Sequence, residues 1–234
     1  SEPANHKSLI INHKSDLAQS ARPFFQTLRD RVLFHFEGIT HKPKLLGVAG
    51  CSHGSGVTTI AVGLASALSE TGGGNVLLVD LNLEHNAIHP FFHGRPGCGL
   101  ADAIETDRRE GGLVSENLYL ATARNGPENG SESLPQRLSR LVPRLRVSDY
   151  DYIVFDLPRV TQTGITARLA GMMDLVLMVA ESGKDQRDVL ERALALLTAS
   201  GAKVGGVLNK VRSYVPRRLR SHFYEPPVES AGPR

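Results

Sequence analysis

Residues 50–59, GCSHGSGVTT, follow the apolar run LLGVA and precede the helical pattern IAVGLASAL. A glycine-rich turn between a strand and a helix is typical of a phosphate-binding loop. Glycines let backbone N–H groups face an anion, and the helix adds the positive end of its dipole. Such loops carry a lysine before the final hydroxyl residue, and here Val57 stands in that position. The stretch therefore predicts a phosphate-binding loop. It leaves open whether this site works without its lysine.

Short apolar segments alternate with helical patterns along the rest of the chain. The predicted strands are KLLGVAG, NVLLVDLN, NLYLATA, DYIVFDLP, DLVLMVAE and AKVGGVLNK. An additional helix is predicted from Pro23, whose ring suits a first helical turn. Apolar strands that alternate with helices predict an α/β fold, a doubly wound parallel sheet with helices on both faces.

The length and polar ends of the chain predict one domain with two extensions. Of the 234 residues, 1–21 are expected to form a flexible N-terminal arm and 22–211 the domain. Residues 212–234 are expected to form a basic, partly disordered tail. No apolar run approaches the roughly 18 residues of a membrane span, and the start does not resemble a signal peptide. A soluble, cytoplasmic protein is therefore expected.

Charge and cysteine content exclude several classes of function. The net charge of +3 does not by itself imply nucleic-acid binding. Cys51 and Cys98 are too few for a disulfide framework or a metal cluster, and two reduced thiols are expected.

Polar side chains end three of the predicted strands, at Asp80, Asp156 and Asn209. Ligands of parallel α/β sheets bind beyond the carboxyl ends of the strands, so these side chains should meet the loop there. Each has an ordinary alternative explanation, because strand-end aspartates can cap helices and asparagines often occupy turns. Their common order and spacing nevertheless favour a nucleotide site.

The spacing suggests a role for each residue of this site. Thr58 is placed to bind Mg²⁺ through its hydroxyl, Thr59 to contact the α-phosphate, and Asn209 to bond the adenine edge. Mg²⁺ would lie near Thr58, Asp80 and Asp156, and these two aspartates would be the catalytic carboxylates of an active protein. The predicted nucleotide contacts are Gly54, Ser55, Gly56, Val57, Thr58, Thr59 and Asn209.

Three stretches, KLLGVAGCSHGSGVTTIAVGLASAL, VLLVDLNLEHNAIHPFF and DYDYIVFDLPRV, resemble the MinD/ParA-type P-loop ATPases, and most of all their bacterial tyrosine kinase (BY-kinase) branch. The resemblance runs from about Ser20 to Val211. It implies ATP or ADP with Mg²⁺ as cofactor and tyrosine autokinase activity. It also implies a cytoplasmic position at the inner membrane, where the partner is the cytoplasmic end of a polysaccharide chain-length regulator (a copolymerase). A homo-dimer or higher oligomer would be formed.

The chain departs from this family at several functional positions. Val57 replaces the P-loop lysine, Ser52 stands where the MinD/ParA signature lysine falls, and Asn82 replaces a carboxylate of the second acidic motif. The tyrosine cluster of the kinase tail is reduced to Tyr214 and Tyr224, and whether either is phosphorylated stays open.

Two functions follow from these departures and matches. The first is a degenerate BY-kinase-like regulator of capsule or exopolysaccharide export, with weak or no ATP turnover. The second is an active MinD/ParA-type ATPase switch that dimerises on ATP. The tail, KVRSYVPRRLRSHFYEPP, could contact an anionic membrane or a partner, or remain solvated. Nucleic-acid binding is not expected.

Overall fold

The computed structural model describes residues 6–82, 91, 98–105, 108–123, 133–161 and 164–211, and of residues 6–20 it describes only the helical backbone. The helices are α1 (His6–His35), α2 (Val57–Ser69), α3 (Leu100–Ile104), α4 (Leu134–Arg146), α5 (Ile165–Ala170) and α6 (Arg187–Ala199). The strands are β1 (Lys44–Gly50), β2 (Asn75–Asp80), β3 (Cys98–Gly99), β4 (Leu113–Ser115), β5 (Leu118–Thr122), β6 (Tyr150–Asp156), β7 (Leu175–Glu181) and β8 (Val204–Asn209). A 3₁₀ helix, Arg109–Gly112, precedes β4.

The strands of the described residues form one sheet with the order β3-β5-β2-β6-β1-β7-β8. All neighbours in this order are parallel, which confirms the predicted α/β fold. The exception is β4, which pairs antiparallel with β5. The six predicted strands correspond to β1, β2, β5, β6, β7 and β8. The two others are too short, at 2 and 3 residues, to show periodicity in the sequence.

Helices cover both faces of the sheet. Successive residues of β1 point to opposite faces: Leu45 packs with residues of α3, α4, α5 and α6, whereas Leu46 packs with residues of α1 and α2. Side chains of the central strands are therefore buried on both sides, and β1 is buried at every position. This burial explains why the strands read as continuous apolar runs rather than as alternating patterns.

The first helix starts earlier than the sequence predicts. Pro23 was expected in the first turn, but α1 begins at His6 and Pro23 lies inside it. An internal proline removes one helical hydrogen bond, but Pro23 does not end this helix. The backbone of the predicted arm is thus helical from residue 6 onward. The division into arm, domain and tail stays a prediction, and the tail at 212–234 lies outside the described residues.

Close packing joins α1 to α2, the helix that follows the loop. A Cβ atom on Gly63 would lie only 2.3 Å from the Phe25 ring, so only glycine permits this approach. The helix that follows the loop is therefore fixed against α1 on its outer side. Among the described residues, none of the helices combines the length and apolar character that a bilayer span requires.

Candidate functional site

The strand register brings the predicted polar residues together at one edge of the sheet. Asp80 and Asp156 face each other across the β2–β6 pair. The neighbouring strand β1 leads into the loop, and Val48 pairs with Asp156. On the other side of β1, β7 and β8 bring Asn209 to the same edge. The sheet therefore assembles the loop and all three strand-end side chains.

The loop backbone depends on two glycines in left-handed conformations. Gly54 has a φ of 77° and Gly56 a φ of 97°. Gly56 precedes the first residue of α2, Val57, and no side chain caps this helix end. The Ser55 N–H reaches the Ser52 carbonyl at 3.4 Å and closes the loop on itself. The first N–H groups of a helix have no partner within the helix, so the loop presents donors to an anion.

Thr58 and Asp156 form the centre of the site. The Thr58 Oγ1 donates to Asp156 Oδ2 at 2.8 Å. Asp156 is fully buried, and its Oδ1 has no hydrogen-bond partner. Burial raises the pKa of Asp156 from 3.8 to about 7, the Asp80 charge raises it as well, and the Thr58 hydrogen bond opposes the rise. A buried carboxylate with an unused oxygen is suited to a cation that arrives with a ligand.

Mg²⁺ fits this set of residues. Asp80 is buried, and its Oδ1 accepts the Asn82 N–H at 2.9 Å. The donors of Thr58, Asp80 and Asp156 are hard oxygens, which Mg²⁺ prefers. Within the described ranges there is no group of three or more His, Cys, Asp or Glu residues that would hold a metal by itself. Mg²⁺ commonly binds through one or two carboxylates together with phosphates, so it would enter with a nucleotide.

The Val57 side chain belongs to the core rather than to the cradle. It is half-buried and packs with the apolar cluster between the sheet and the helices α1 and α2. No side-chain cation is therefore supplied from this position of the loop. Thr59, predicted to contact the α-phosphate, is exposed in the first turn of α2.

Four side chains at or after the ends of β7 and β8 form hydrogen bonds with four successive residues of the loop. The Ser52 hydroxyl donates to Asp185, and Lys184 Nζ donates to the His53 carbonyl at 2.9 Å. Lys210 Nζ donates to the Gly54 carbonyl at 2.6 Å. Asn209 Nδ2 donates to the Ser55 carbonyl at 2.8 Å. We call the four residues Lys184, Asp185, Asn209 and Lys210 the loop clamp.

Both lysines of the loop clamp share one carboxylate. Glu181 lies 3.2 Å from Lys184 Nζ and 3.2 Å from Lys210 Nζ. The Lys210 hydrogen bond is the main cause that lowers the pKa of Glu181, and Lys184 lowers it further. This cluster was not predicted from the sequence. The available signal was that Lys210 follows Asn209 directly at the edge where the loop lies.

The loop clamp also fixes the direction of the loop amides. In a trans peptide, the carbonyl of one residue and the N–H of the next point in opposite directions. The carbonyls bonded to Lys184, Lys210 and Asn209 share peptides with the N–H groups of the residues that follow them. The N–H group of Gly54 therefore points away from Lys184, and that of Gly56 points away from Asn209. The Lys184 cation polarises the peptide between His53 and Gly54 and strengthens the Gly54 N–H as a donor. Lys210 acts in the same way on the Ser55 N–H, which already reaches the Ser52 carbonyl.

Asn209 contacts the loop instead of projecting freely. Its Nδ2 bonds Ser55 and its Oδ1 accepts the Lys210 N–H at 2.8 Å. A Cβ atom on Gly56 would lie 2.3 Å from the Asn209 Nδ2, so the loop and this side chain fit against each other. The adenine contact of Asn209 stays a prediction.

The two cysteines do not contribute a nucleophile. Both are free, and burial is the main cause that raises the pKa of Cys51 and raises that of Cys98 to about 11. Thiols with raised pKa values stay protonated at neutral pH and react poorly. Tyr214 and Tyr224 lie outside the described residues.

The fold and the loop define a P-loop NTPase of the MinD/ParA type. This class is set by the parallel sheet, the glycine loop before α2, and the Thr58–Asp156 pair at the carboxyl edge. The chain belongs to the MipZ family of ATPases, whose family model matches residues 45–190, more than half of its length.

Similar proteins of known sequence are tyrosine-protein kinases. The tyrosine-protein kinase CpsD of Streptococcus agalactiae serotype III is 23% identical over 212 residues, which cover 88% of this chain and 89% of that protein. The tyrosine-protein kinase YwqD of Bacillus subtilis is 23% identical over 190 residues, 79% of each protein. These relatives confirm the predicted resemblance to BY-kinases.

Three solved structures share the fold of this chain. The chimerical protein CapA2B2 superposes with a TM-score of 0.65 at 24% identity, covering 81% of this chain and 84% of that one. The kinase domain of the Escherichia coli tyrosine kinase ETK gives a TM-score of 0.62 at 21% identity, with 80% and 75% coverage. The septum site-determining protein MinD of Pyrococcus horikoshii, solved with Mg-ADP, gives 0.57 at 21% identity and covers 77% of each chain.

Proposed function

We propose that this protein binds a magnesium nucleotide weakly and turns it over slowly or not at all, as a degenerate BY-kinase-like regulator. The observation that carries the proposal is the contrast within one loop. Thr58, Asp156 and the loop amides are arranged for a phosphate and Mg²⁺, whereas Val57 packs into the core where a lysine would reach the phosphates.

The retained groups support nucleotide binding. Backbone amides, a helix dipole and a threonine–carboxylate pair each act on an anion or its Mg²⁺ without a loop lysine. A charge-assisted hydrogen bond of the missing kind contributes about 1.5–3 kcal/mol. Its absence should weaken triphosphate binding by roughly 10- to 150-fold. The polarised loop amides compensate part of this loss.

Phosphoryl transfer should suffer more than binding. The loop lysine neutralises charge on the β- and γ-phosphates as the transition state forms, and electrostatic stabilisation of that charge is the main source of catalysis. Lys184 and Lys210 bond the loop carbonyls, on the side opposite to the N–H groups of the same peptides. They strengthen the cradle, but their ammonium groups do not lie where the loop lysine would.

The cellular role that we propose follows from the relatives. The tyrosine-protein kinases that resemble this protein align with most of its chain. The BY-kinase branch accompanies regulators of polysaccharide chain length. We propose that this protein acts in capsule or exopolysaccharide biosynthesis and export. It would stay on the cytoplasmic side of the inner membrane, bound to the cytoplasmic end of a copolymerase.

Phosphate release measured for the native chain, Val57→Lys and Val57→Met tests the catalytic part of the proposal. The lysine variant should release phosphate from Mg-ATP at least 10-fold faster than the native chain. Val57→Met matches the length of the lysine stem without its charge and should behave like the native protein. Native turnover as fast as that of Val57→Lys would refute a degenerate site.

An active ATPase switch is the second candidate function. Two observations favour it: both strand-end carboxylates are present, and the loop is held in an ordered shape by the loop clamp. Such a switch would dimerise when ATP binds. Light scattering with Mg-ATP and with Mg-ADP distinguishes the two candidates, because a mass that doubles with ATP alone supports the switch.

We also propose the division into an arm (1–21), a domain (22–211) and a basic tail (212–234). The positive charge of the tail would support a contact with an anionic membrane or with a partner, and a solvated tail is the alternative. Flotation with anionic vesicles compares the full chain with a chain that ends at Val211. Equal flotation discards the membrane contact, and loss of flotation on truncation establishes it.

A further inference from the structure

The segment 157–160, which follows β6, runs beside the start of the loop. The Leu157 N–H donates to the Val48 carbonyl at 2.9 Å. The Val160 N–H donates to the carbonyl of Gly50, the last residue of β1, also at 2.9 Å. Main-chain bonds therefore hold the segment against the end of β1, where the loop begins.

Arg159 is the exposed residue of this segment. Leu157 and Val160 are buried in the apolar cluster that packs with α3, α4, α5 and α6, whereas Arg159 is exposed. The hydroxyl of Thr166, which is buried in α5, donates to the carbonyls of Pro158 and Arg159 at 3.1 and 2.8 Å. The backbone of Arg159 is thus fixed at the carboxyl edge of the sheet, although its side chain contacts solvent.

The terminal phosphate of a bound triphosphate is expected beside this segment. In P-loop NTPases Mg²⁺ bridges the β- and γ-phosphates, and the pair suited to Mg²⁺ here is Thr58 with Asp156. Arg159 follows Asp156 by three residues and directly precedes the residue that bonds Gly50. Its position on the backbone therefore lies between the proposed Mg²⁺ ligand and the start of the loop. A long side chain at this position can reach a phosphate that the pair and the loop hold.

The loop by itself does not balance the charge of a triphosphate. Val57 packs into the core and supplies no cation, and Lys184 and Lys210 bond the carbonyl side of the loop peptides. The buried Asp156 carboxylate adds a negative charge at the same edge when it is ionised. A triphosphate would therefore be stabilised by a cation that approaches from the strand ends, and Arg159 carries one there.

We propose that Arg159 binds the terminal phosphate of the nucleotide and makes the site prefer a triphosphate to a diphosphate. The inference rests on the proposed nucleotide binding. Guanidinium groups bind phosphate oxygens in forked pairs, and they carry enough N–H donors that a partner elsewhere leaves others for a phosphate. A diphosphate lacks the group that Arg159 would bind, so its affinity should not depend on this side chain. Arg159 would supply part of the positive charge that Val57 does not.

Calorimetric titration of the native chain, Arg159→Gln and Arg159→Lys tests this proposal, with Mg-ADP and the Mg²⁺ complex of a non-hydrolysable ATP analogue as probes. Arg159→Gln should bind the ATP analogue roughly 10- to 150-fold more weakly, because one charge-assisted hydrogen bond is lost. Its affinity for Mg-ADP should change by less than about 3-fold, because only a screened charge is removed. Arg159→Lys keeps the charge without the forked geometry and should recover part of the lost affinity.

Arg168→Gln is the matched control, because it removes an exposed arginine of α5, the helix that follows this segment. It should bind both nucleotides like the native chain. If Arg159→Gln folds poorly, Arg159→Lys still has to show a smaller loss that affects the ATP analogue alone.

The proposal is overturned if Arg159→Gln binds the ATP analogue like the native chain, or if it loses the same factor for Mg-ADP. A native chain that binds both nucleotides equally well refutes the role of Arg159 and leaves the proposed nucleotide binding intact. A native chain that binds neither nucleotide contradicts the proposed function itself.

Discussion

Asp156 and Glu181 end two strands at the same edge of the sheet, on either side of β1, but their surroundings are opposite. Asp156 is fully buried with one unpartnered oxygen, and burial raises its pKa to about 7. Glu181 lies between Lys184 and Lys210, and the Lys210 hydrogen bond is the main cause that lowers its pKa. The charge of Glu181 is balanced within the fold, whereas that of Asp156 is left for a ligand.

This difference divides the site into a structural half around Glu181 and a ligand-binding half around Asp156. A buried, unbalanced carboxylate destabilises the folded chain, and such groups occur mainly where a ligand or a reaction uses them. The Glu181 cluster stabilises the loop whether or not a nucleotide is present. The following changes test the two halves separately.

Replacing Asp156 by asparagine should have the largest effect. The unfolded chain releases this proton near pH 4 and the folded chain near pH 7, so the folded state binds more protons between these values. The free energy of unfolding of the native chain therefore falls as the pH rises from 4 to 7. Asp156→Asn removes this slope and should stabilise the ligand-free chain at pH 8 by up to about 4 kcal/mol.

Denaturant unfolding at pH 5 and pH 8 measures this effect, and the same variant should no longer be stabilised by Mg-ADP. A variant that is less stable than the native chain at pH 8 would show that the Asp156 charge is already balanced.

Replacing Gly56 by alanine should have the next largest effect on the free energy of unfolding. The new Cβ would need a φ of 97° and would clash with the Asn209 amide. We expect a loss of about 2–4 kcal/mol from strain and from the broken Asn209–Ser55 bond.

Gly54→Ala provides the matched control, since its φ is 77° but a Cβ there meets nothing within 4 Å. It should lose only about 1–2 kcal/mol, the strain of the left-handed conformation alone. Equal losses in urea unfolding for the two variants would mean that Asn209 does not hold the loop.

Replacing Glu181 by glutamine should have the smallest effect. A carboxylate whose pKa is lowered stabilises the folded state above its unfolded value of 4.5 and loses this contribution as the pH falls through the folded value. The melting temperature of Glu181→Gln should therefore be below that of the native chain at pH 7 and should approach it in acid. A deficit that is the same at pH 7 and pH 3 would exclude the ion pairs as its cause.

Most of the fold could be predicted from the sequence, because six strands form apolar runs and the central ones, such as β1 and β5, are buried at every position. The strands β3 and β4 and the early start of α1 were not predicted. Three residues are too few for a periodic pattern, and Pro23 looked like a helix start although it lies inside α1. Tertiary packing decides both features, and it leaves no local signal.

The candidate site was predicted in part. Asp80, Asp156, Thr58 and the loop follow from the rule that strand ends share an edge. Their placement together agrees with that rule, while their roles stay predictions. The loop clamp could not be predicted, because it depends on which side chains reach the back of the loop across β7 and β8.

Calorimetric titration with a non-hydrolysable ATP analogue, with and without Mg²⁺, tests the central claim most directly. The native chain should bind the analogue weakly and only with Mg²⁺, and Val57→Lys should bind it roughly 10- to 150-fold more tightly. The absence of Mg²⁺-dependent binding by both proteins, or equal affinities of the two, would contradict a phosphate cradle that lacks only its lysine.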